Sequence, residues 1–172
     1  PPPPPPPPPP DFQAEDGIRD LASSLVGSEM CIRDRASILA PGRDVVVANT
    51  PWGATGFSTC YDLRFPELFR RMVDRGAKFF LVTSAWPQLR LEAWKLFNRS
   101  RAHENLAFLI SCNCAGANQG KQYAGHSMIV DPLGQVVAEG SDKEEFVSAR
   151  IDPKFVDTIR RDFPALEDRV LS

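Results

Sequence analysis

The chain is 172 residues long, enough for one domain with a real core, and its 20 basic and 22 acidic side chains leave a net charge of −2. Because the two signs are dispersed, neither nucleic acid nor an anionic membrane is indicated as a partner. No apolar run approaches the roughly 18 residues of a membrane span, and no leader peptide is visible, so we expect a cytoplasmic protein. Four cysteines are too few for a secreted disulfide framework.

Residues 1–35 differ from the rest of the chain. Ten successive prolines form a solvated polyproline helix at most, and residues 11–35 show no sustained helical or strand period. This second stretch resembles translated sequencing-adapter read-through. We therefore predict that residues 1–35 are a non-native or disordered Pro-rich segment and that residues 36–172 form the domain. The alternative is a native Pro-rich arm that binds an aromatic groove.

The first elements of the domain lead to a cysteine. A short strand is predicted at residues 44–49, and a second strand ends at Cys60. A helix then begins at Pro66 and ends at Gly76. Its predicted apolar stripe has the spacing of one helix face and comprises Phe65, Leu68, Phe69, Met72 and Val73. A thiol is thereby predicted on a strand-to-helix bend.

The remaining elements alternate in type. A buried strand at residues 78–84 is followed by a helix from about Leu89 to Asn105, with Leu89, Ala93, Leu96 and Phe97 on one face. Further predicted elements are a strand at 107–113, a loop at 115–122, a hairpin of 126–131 with 135–139, a strand at 145–151 and a helix at 153–163. This order predicts an α/β layered domain.

The bend at Cys60 suits a nucleophile. It lifts the side chain clear of the sheet, and nearby helix-terminal N–H groups favour a thiolate and an adjacent oxyanion. The alternative is that Cys60 is a small buried hydrophobic residue, as most free cysteines are. The spacing leaves both interpretations open.

The residues around the bend carry a family resemblance. The stretch from Cys60 to Glu67 (CYDLRFPE) resembles the nucleophile motif of the nitrilase superfamily, the carbon–nitrogen hydrolases, and within it the omega-amidase-like branch. Further segments match in family order: residues 83–87 (TSAWP), 101–105 (RAHEN), 112–113 (CN), 123–127 (YAGHS), 130–138 (VDPLGQVVA) and 163–169 (FPALEDR). The resemblance extends from about Ala36 to the C-terminus.

The resemblance implies a fold and a mechanism. The fold would be part of a four-layer αββα sandwich whose N-terminal half is missing. Cys60 would be the catalytic nucleophile, the backbone N–H of Tyr61 an oxyanion donor, and the substrate a small amide such as an omega-amide of a dicarboxylate. No cofactor or metal would be needed, and a homo-oligomer is expected for the full-length protein.

Two of the three catalytic residues of that family have no match. The family places a general-base Glu and an intermediate-stabilising Lys far upstream of the cysteine. Here no lysine precedes Cys60, and the only earlier glutamates, Glu15 and Glu29, lie in the suspect segment. We therefore expect this polypeptide to be inactive by itself. The alternatives are a non-catalytic binding fragment and a redox-active thiol protein.

Other residues invite weaker hypotheses. Trp86 ends a strand, where it either borders a substrate pocket or lies in the core with its N–H bonded. Arg101 and Glu104 are expected to form a structural ion pair. A dyad of Cys60 with His126 is an alternative, but the family resemblance gives histidine no such role. Two further cysteines, Cys112 and Cys114, are expected to point to opposite faces of their strand, which would exclude a shared metal or redox pair.

Overall fold

The computed structural model of the chain describes residues 44–118 and 120–170. Its strands are β1 (Val47–Thr50), β2 (Gly53–Thr59), β3 (Phe79–Ser84), β4 (Phe108–Asn113), β5 (Ala117–Asn118), β6 (Lys121–Gln122), β7 (Met128–Val130) and β8 (Val136–Glu139). Its α-helices are α1 (Pro66–Asp74), α2 (Leu91–Glu104) and α3 (Lys154–Asp162). The predicted segment 1–35 lies outside the described residues.

One mixed sheet organises these elements, in the order β1-β2-β3-β4-β7-β8. Strands β2, β3 and β4 are parallel, and the outer pairs are antiparallel. Because α1 connects β2 to β3 and α2 connects β3 to β4, the predicted α/β class is confirmed. The register pairs Thr59 with Thr83 and Ser84 with Asn113, so the carboxyl ends of all three parallel strands meet at one edge.

The main core lies between the sheet and helices α1 and α2. Phe69 of α1 meets Phe80 of β3 edge to face, with ring centroids 5.1 Å apart. Both side chains are fully buried, as is Trp94 of α2. Burying each of these aromatic side chains contributes about 1.5–3 kcal/mol or more to stability, so the helices are fixed against the sheet by apolar packing.

The opposite face of the sheet is only partly covered. Helix α3 covers one end of it, where Val156 packs against Phe79 and Phe108. Across the middle, Phe57, Leu81 and Ile110 align in register and are half-buried. A four-layer sandwich would place a second sheet on this face, and the residues described here contain no such sheet.

Two details of the sequence prediction were wrong. The buried face of α2 is formed by Trp94, Asn98, Arg101 and Ala102. Of the predicted face, Ala93 and Phe97 are half-buried and pack against the core, whereas Leu89 is 94% exposed and Leu96 is 62% exposed. The helix buries two polar side chains because each is hydrogen-bonded, a pattern that apolar periodicity misses. Residues 145–151 form no strand within the described structure: the segment crosses the surface, with Phe146 at 92% exposure.

Gly56 allows α1 to approach β2 closely. A Cβ atom at this position would lie 2.6 Å from Met72 Sδ and 3.1 Å from Met72 Cβ. We therefore expect Gly56→Ala to destabilise the fold by about 1–3 kcal/mol. In a double-mutant cycle measured by urea unfolding, Gly56→Ala should cost less stability when Met72 is also replaced by alanine. If the free-energy costs of the two single substitutions add to that of the double variant within about 0.5 kcal/mol, the steric explanation is contradicted.

Candidate active site

Cys60 occupies a sharp bend at the carboxyl end of β2. Thr59 is still extended, with φ −136° and ψ 125°, whereas Cys60 has φ +48°, which is unusual for a residue other than glycine. A 3₁₀ turn covers Cys60–Arg64, and α1 begins two residues later at Pro66. The cysteine is 5% exposed. The predicted strand–cysteine–helix bend is therefore present, and its backbone is strained.

The side chain of Asp62 stabilises this bend through a hydrogen bond within it. Its Oδ2 accepts a hydrogen bond of 2.8 Å from the backbone N–H of Thr59, across the cysteine, and the side chain is buried. Burial raises the pKa of Asp62 to about 6, although the hydrogen bond from Thr59 opposes the rise. Sequence reasoning missed this residue. The spacing of Thr59 and Asp62, typical of a capping box, was the available signal.

The raised pKa of Asp62 predicts that the stability of the protein depends on pH. Because the folded state holds the Asp62 proton more tightly than the unfolded chain, ionisation lowers stability as pH rises from about 4 to about 6, and the loss persists above that range. Asp62→Asn should thus stabilise the protein at about pH 8 by up to about 3 kcal/mol, and by little at about pH 4. Urea unfolding of both proteins at the two pH values tests this; an equal difference at both would contradict it.

Arg101 holds the same turn from helix α2. Its Nε donates a 2.9 Å hydrogen bond to the carbonyl oxygen of Leu63, and its Nη1 lies 2.9 Å from Glu104 Oε1. The arginine is 6% exposed. The ion pair that the sequence predicted is thus present, and the arginine additionally joins α2 to the bend.

Tyr61 and Trp86 are brought together by a cation. The guanidinium carbon of Arg64 lies 5.2 Å from the Tyr61 ring centroid and 5.4 Å from those of Trp86 and Phe97. Among the described residues, the buried Nε of Arg64 has no hydrogen-bond partner. The backbone N–H of Tyr61 belongs to the first turn after the strand, where N–H groups have no intrahelical acceptor.

Trp86 is 3% exposed, which matches the core alternative for this residue. Its Nε1 donates to the carbonyl oxygen of Arg90, and its backbone N–H donates to Oδ1 of Asn113 over 2.7 Å. Asn113 also donates to the carbonyl oxygen of Gly125, so this buried amide ties together three segments at the carboxyl edge of the sheet. Contact between Trp86 and a substrate stays a prediction. Asn113 was visible to sequence reasoning only as part of the CN match.

His126 has a partner other than the cysteine. Its Nδ1 lies 2.6 Å from Glu139 Oε1, and Lys95 Nζ lies 2.8 Å from the same oxygen. Burial raises the pKa of Glu139, but the hydrogen bonds and charges of Lys95 and His126 outweigh this and lower the pKa overall. These contacts give His126 a structural role in an ion pair with Glu139, and they do not support the Cys60–His126 dyad.

The expectation for Cys112 and Cys114 was wrong. Cys114 directly follows the end of β4, and residues two apart on an extended chain share a face; both cysteines are exposed while Asn113 between them is buried. Both line one cavity of about 310 Å³ with Ser127 and Lys143. In the described ranges, no cluster of three His, Cys, Asp or Glu side chains could hold a metal ion, and no helix is long and apolar enough to cross a membrane.

A buried cysteine at positive φ, between a parallel strand and the start of a helix, defines the class of this protein: an α/β fold with a sharp strand-to-helix elbow centred on a cysteine. The family model for carbon-nitrogen hydrolases matches residues 12–161. The chain therefore belongs to the carbon–nitrogen hydrolase family, in the omega-amidase-like branch of the nitrilase superfamily. The match begins inside the segment 1–35, so the predicted domain boundary at residue 36 stays a prediction.

Named relatives match this chain in sequence or in structure. The 2-oxoglutaramate amidase of Bacillus subtilis is 42% identical over 109 residues, covering 63% of this chain and 42% of that protein. Nit3 of Saccharomyces cerevisiae, described as a member of branch 10 of the nitrilase superfamily, has a crystal structure that superposes with a TM-score of 0.73 at 33% identity, over 79% of this chain and 51% of Nit3.

A third relative is a mutant of the amidase from Nesterenkonia sp. AN1, which carries the acetamide moiety of fluoroacetamide on its active-site cysteine. Its TM-score is 0.68 at 25% identity, over 78% of this chain and 48% of that one. This chain thus spans about half the length of the relatives it matches.

Proposed function

We propose that this chain is the nucleophile-bearing part of an amidase that hydrolyses omega-amides of small dicarboxylates. The observation that carries the proposal is the strained, buried Cys60 at the elbow of a carbon–nitrogen hydrolase fold. An omega-amide is favoured because a relative of 42% identity is named a 2-oxoglutaramate amidase. The positive charge of Arg64, packed on Tyr61 and Trp86, suits a substrate with a distal carboxylate.

The reaction would proceed in two steps. The Cys60 thiolate attacks the amide carbon, the C–N bond breaks, and the protonated nitrogen leaves as ammonia. Water then attacks the thioester, releasing the carboxylic acid and restoring the thiol. The backbone N–H of Tyr61 would donate a hydrogen bond to the oxyanion of each tetrahedral intermediate, and Trp86 would border the acyl group. No step requires a cofactor.

A base and a second oxyanion stabiliser must come from elsewhere. The family resemblance assigns these roles to a Glu and a Lys upstream of the cysteine; no lysine precedes Cys60, and the earlier glutamates are Glu15 and Glu29. We therefore propose that this polypeptide is part of a longer, cytoplasmic, homo-oligomeric enzyme and is inactive alone. Loss of the base by itself typically slows such a reaction by about 10²–10⁴-fold.

The test is to determine the coding sequence upstream of the Ala36 codon and to express the extended protein. We expect an in-frame extension with family-like Glu and Lys motifs, ammonia release from 2-oxoglutaramate by the extended protein, and none from the 172-residue chain. An extended protein inert towards omega-amides would overturn the proposed substrate class. Turnover by the 172-residue chain alone, or proof that residues 1–35 are encoded as written, would overturn the proposal that an essential part is missing.

A further inference from the structure

We infer that Asp62 is a positioning residue that holds Cys60 in its left-handed backbone conformation. The proposed function supplies only the reason why the orientation of this thiol matters. The positioning itself rests on contacts within the elbow.

Asp62 accepts hydrogen bonds from both ends of the bend. Its Oδ2 accepts from the backbone N–H of Thr59 over 2.8 Å, and its carbonyl oxygen accepts from the backbone N–H of Phe65 over 3.0 Å. The first of these bonds closes a ring of four residues that contains Cys60. Thr59 is 8% exposed and Asp62 is 7% exposed, so solvent cannot readily replace the bond.

The bend needs such a brace because its central residue is not glycine. A residue with a Cβ atom disfavours φ +48°, and Cys60 therefore tends to relax towards the extended conformation of Thr59. Because the buried N–H of Thr59 would lose its acceptor if the bend relaxed, the side-chain oxygen of Asp62 is well suited to oppose this relaxation.

A side-chain hydrogen bond from helix α2 acts later on the turn. Arg101 binds the carbonyl oxygen of Leu63, three residues after the cysteine, and so fixes the exit of the turn. The carboxylate of Asp62 reaches back to the residue before the cysteine. The entry into the left-handed conformation is therefore the part of the bend that Asp62 controls.

The experiment measures the backbone angle φ at Cys60 by NMR scalar couplings in the isotopically labelled 172-residue chain. We expect a positive φ in the wild type and in Asp62→Asn, whose side-chain oxygen still accepts the Thr59 N–H. In Asp62→Ala we expect a negative φ, together with amide exchange at Thr59 that is about tenfold faster or more, after correction for global stability. A positive φ that persists in Asp62→Ala, or is lost equally in Asp62→Asn, would overturn the inference.

Asp131→Ala is the matched control. Asp131 Oδ1 also accepts hydrogen bonds from backbone N–H groups, those of Leu133 and Gln135, but in the β7–β8 turn. Its replacement should leave φ at Cys60 positive. A shift of φ in this control as large as in Asp62→Ala would mean that general loss of stability, and not Asp62, governs the elbow.

A glycine rescue covers the case in which Asp62→Ala fails to fold. Glycine adopts positive φ without strain, so Asp62→Ala with Cys60→Gly should regain the bend, whereas Asp62→Ala with Cys60→Ala should not. If neither double variant regains it, or both do, the inference falls. None of these results depends on turnover, so an extended protein without amidase activity would refute the proposed function and leave this inference standing.

Discussion

Cys60→Ala is expected to abolish ammonia release by the extended enzyme. If the thiol forms the acyl intermediate, its removal leaves a rate enhancement that comes only from substrate binding and electrostatic stabilisation. The value of kcat should then fall by about 10⁴–10⁶-fold. The value of KM should change little, because alanine fits the space of a cysteine that is 5% exposed. Steady-state assays with an omega-amide substrate provide the measurement.

Cys112→Ala supplies the control for that substitution. Cys112 is a free thiol on the same sheet, but it is exposed and has no place in the proposed reaction. The Cys112→Ala variant should therefore retain nearly full amidase activity. If Cys60→Ala kept more than about one hundredth of the wild-type kcat, the assignment of the nucleophile would be refuted.

Phe69→Ala is expected to cause a large loss of stability. The ring is fully buried on α1, packs edge to face on Phe80, and lies 5.8 Å from the guanidinium carbon of Arg101. Removing it creates a cavity beneath α1 and should lower the free energy of unfolding by about 3–5 kcal/mol, a large part of the stability of an ordinary domain. Urea unfolding followed by circular dichroism measures the change.

Phe146→Ala is the matched control, since it removes the same side chain from a site that is 92% exposed. We expect a change within about 0.5 kcal/mol for this variant. A Phe69→Ala cost as small as that would show that α1 is not held against the sheet by this contact.

The sequence predicted the elbow because its signals are local. The strand pattern before Cys60, Pro66 at the helix start and the stripe through Phe69, Met72 and Val73 each reflect short-range geometry and appear where predicted. Phe65 was wrongly included in that stripe, because it precedes the helix and is 47% exposed. The elements 79–84, 108–113 and 154–162 were also predicted to within a few residues. These signals can be detected in the sequence because each helix or strand has its own hydrophobic period and its own terminating residues.

The failures have a different physical origin. The buried face of α2 includes Asn98 and Arg101, which depend on hydrogen-bond partners that no periodicity reveals. The hydrogen bonds of Asn113 join it to residues far away in the sequence, and these contacts became visible only in three dimensions. Asp62 is different, because its bond to Thr59 is local and the capping-box spacing of the two residues is present in the sequence.

The most direct test of the account is mass spectrometry of the extended enzyme, acid-quenched during turnover of an omega-amide. We predict that the peptide containing Cys60 gains the mass of the substrate acyl group, with ammonia lost, and that hydroxylamine removes this mass as expected for a thioester. An acyl group found on another residue, or steady turnover with the Cys60 peptide unmodified at every quench time, would contradict the assignment of this chain as the nucleophile-bearing part of an amidase.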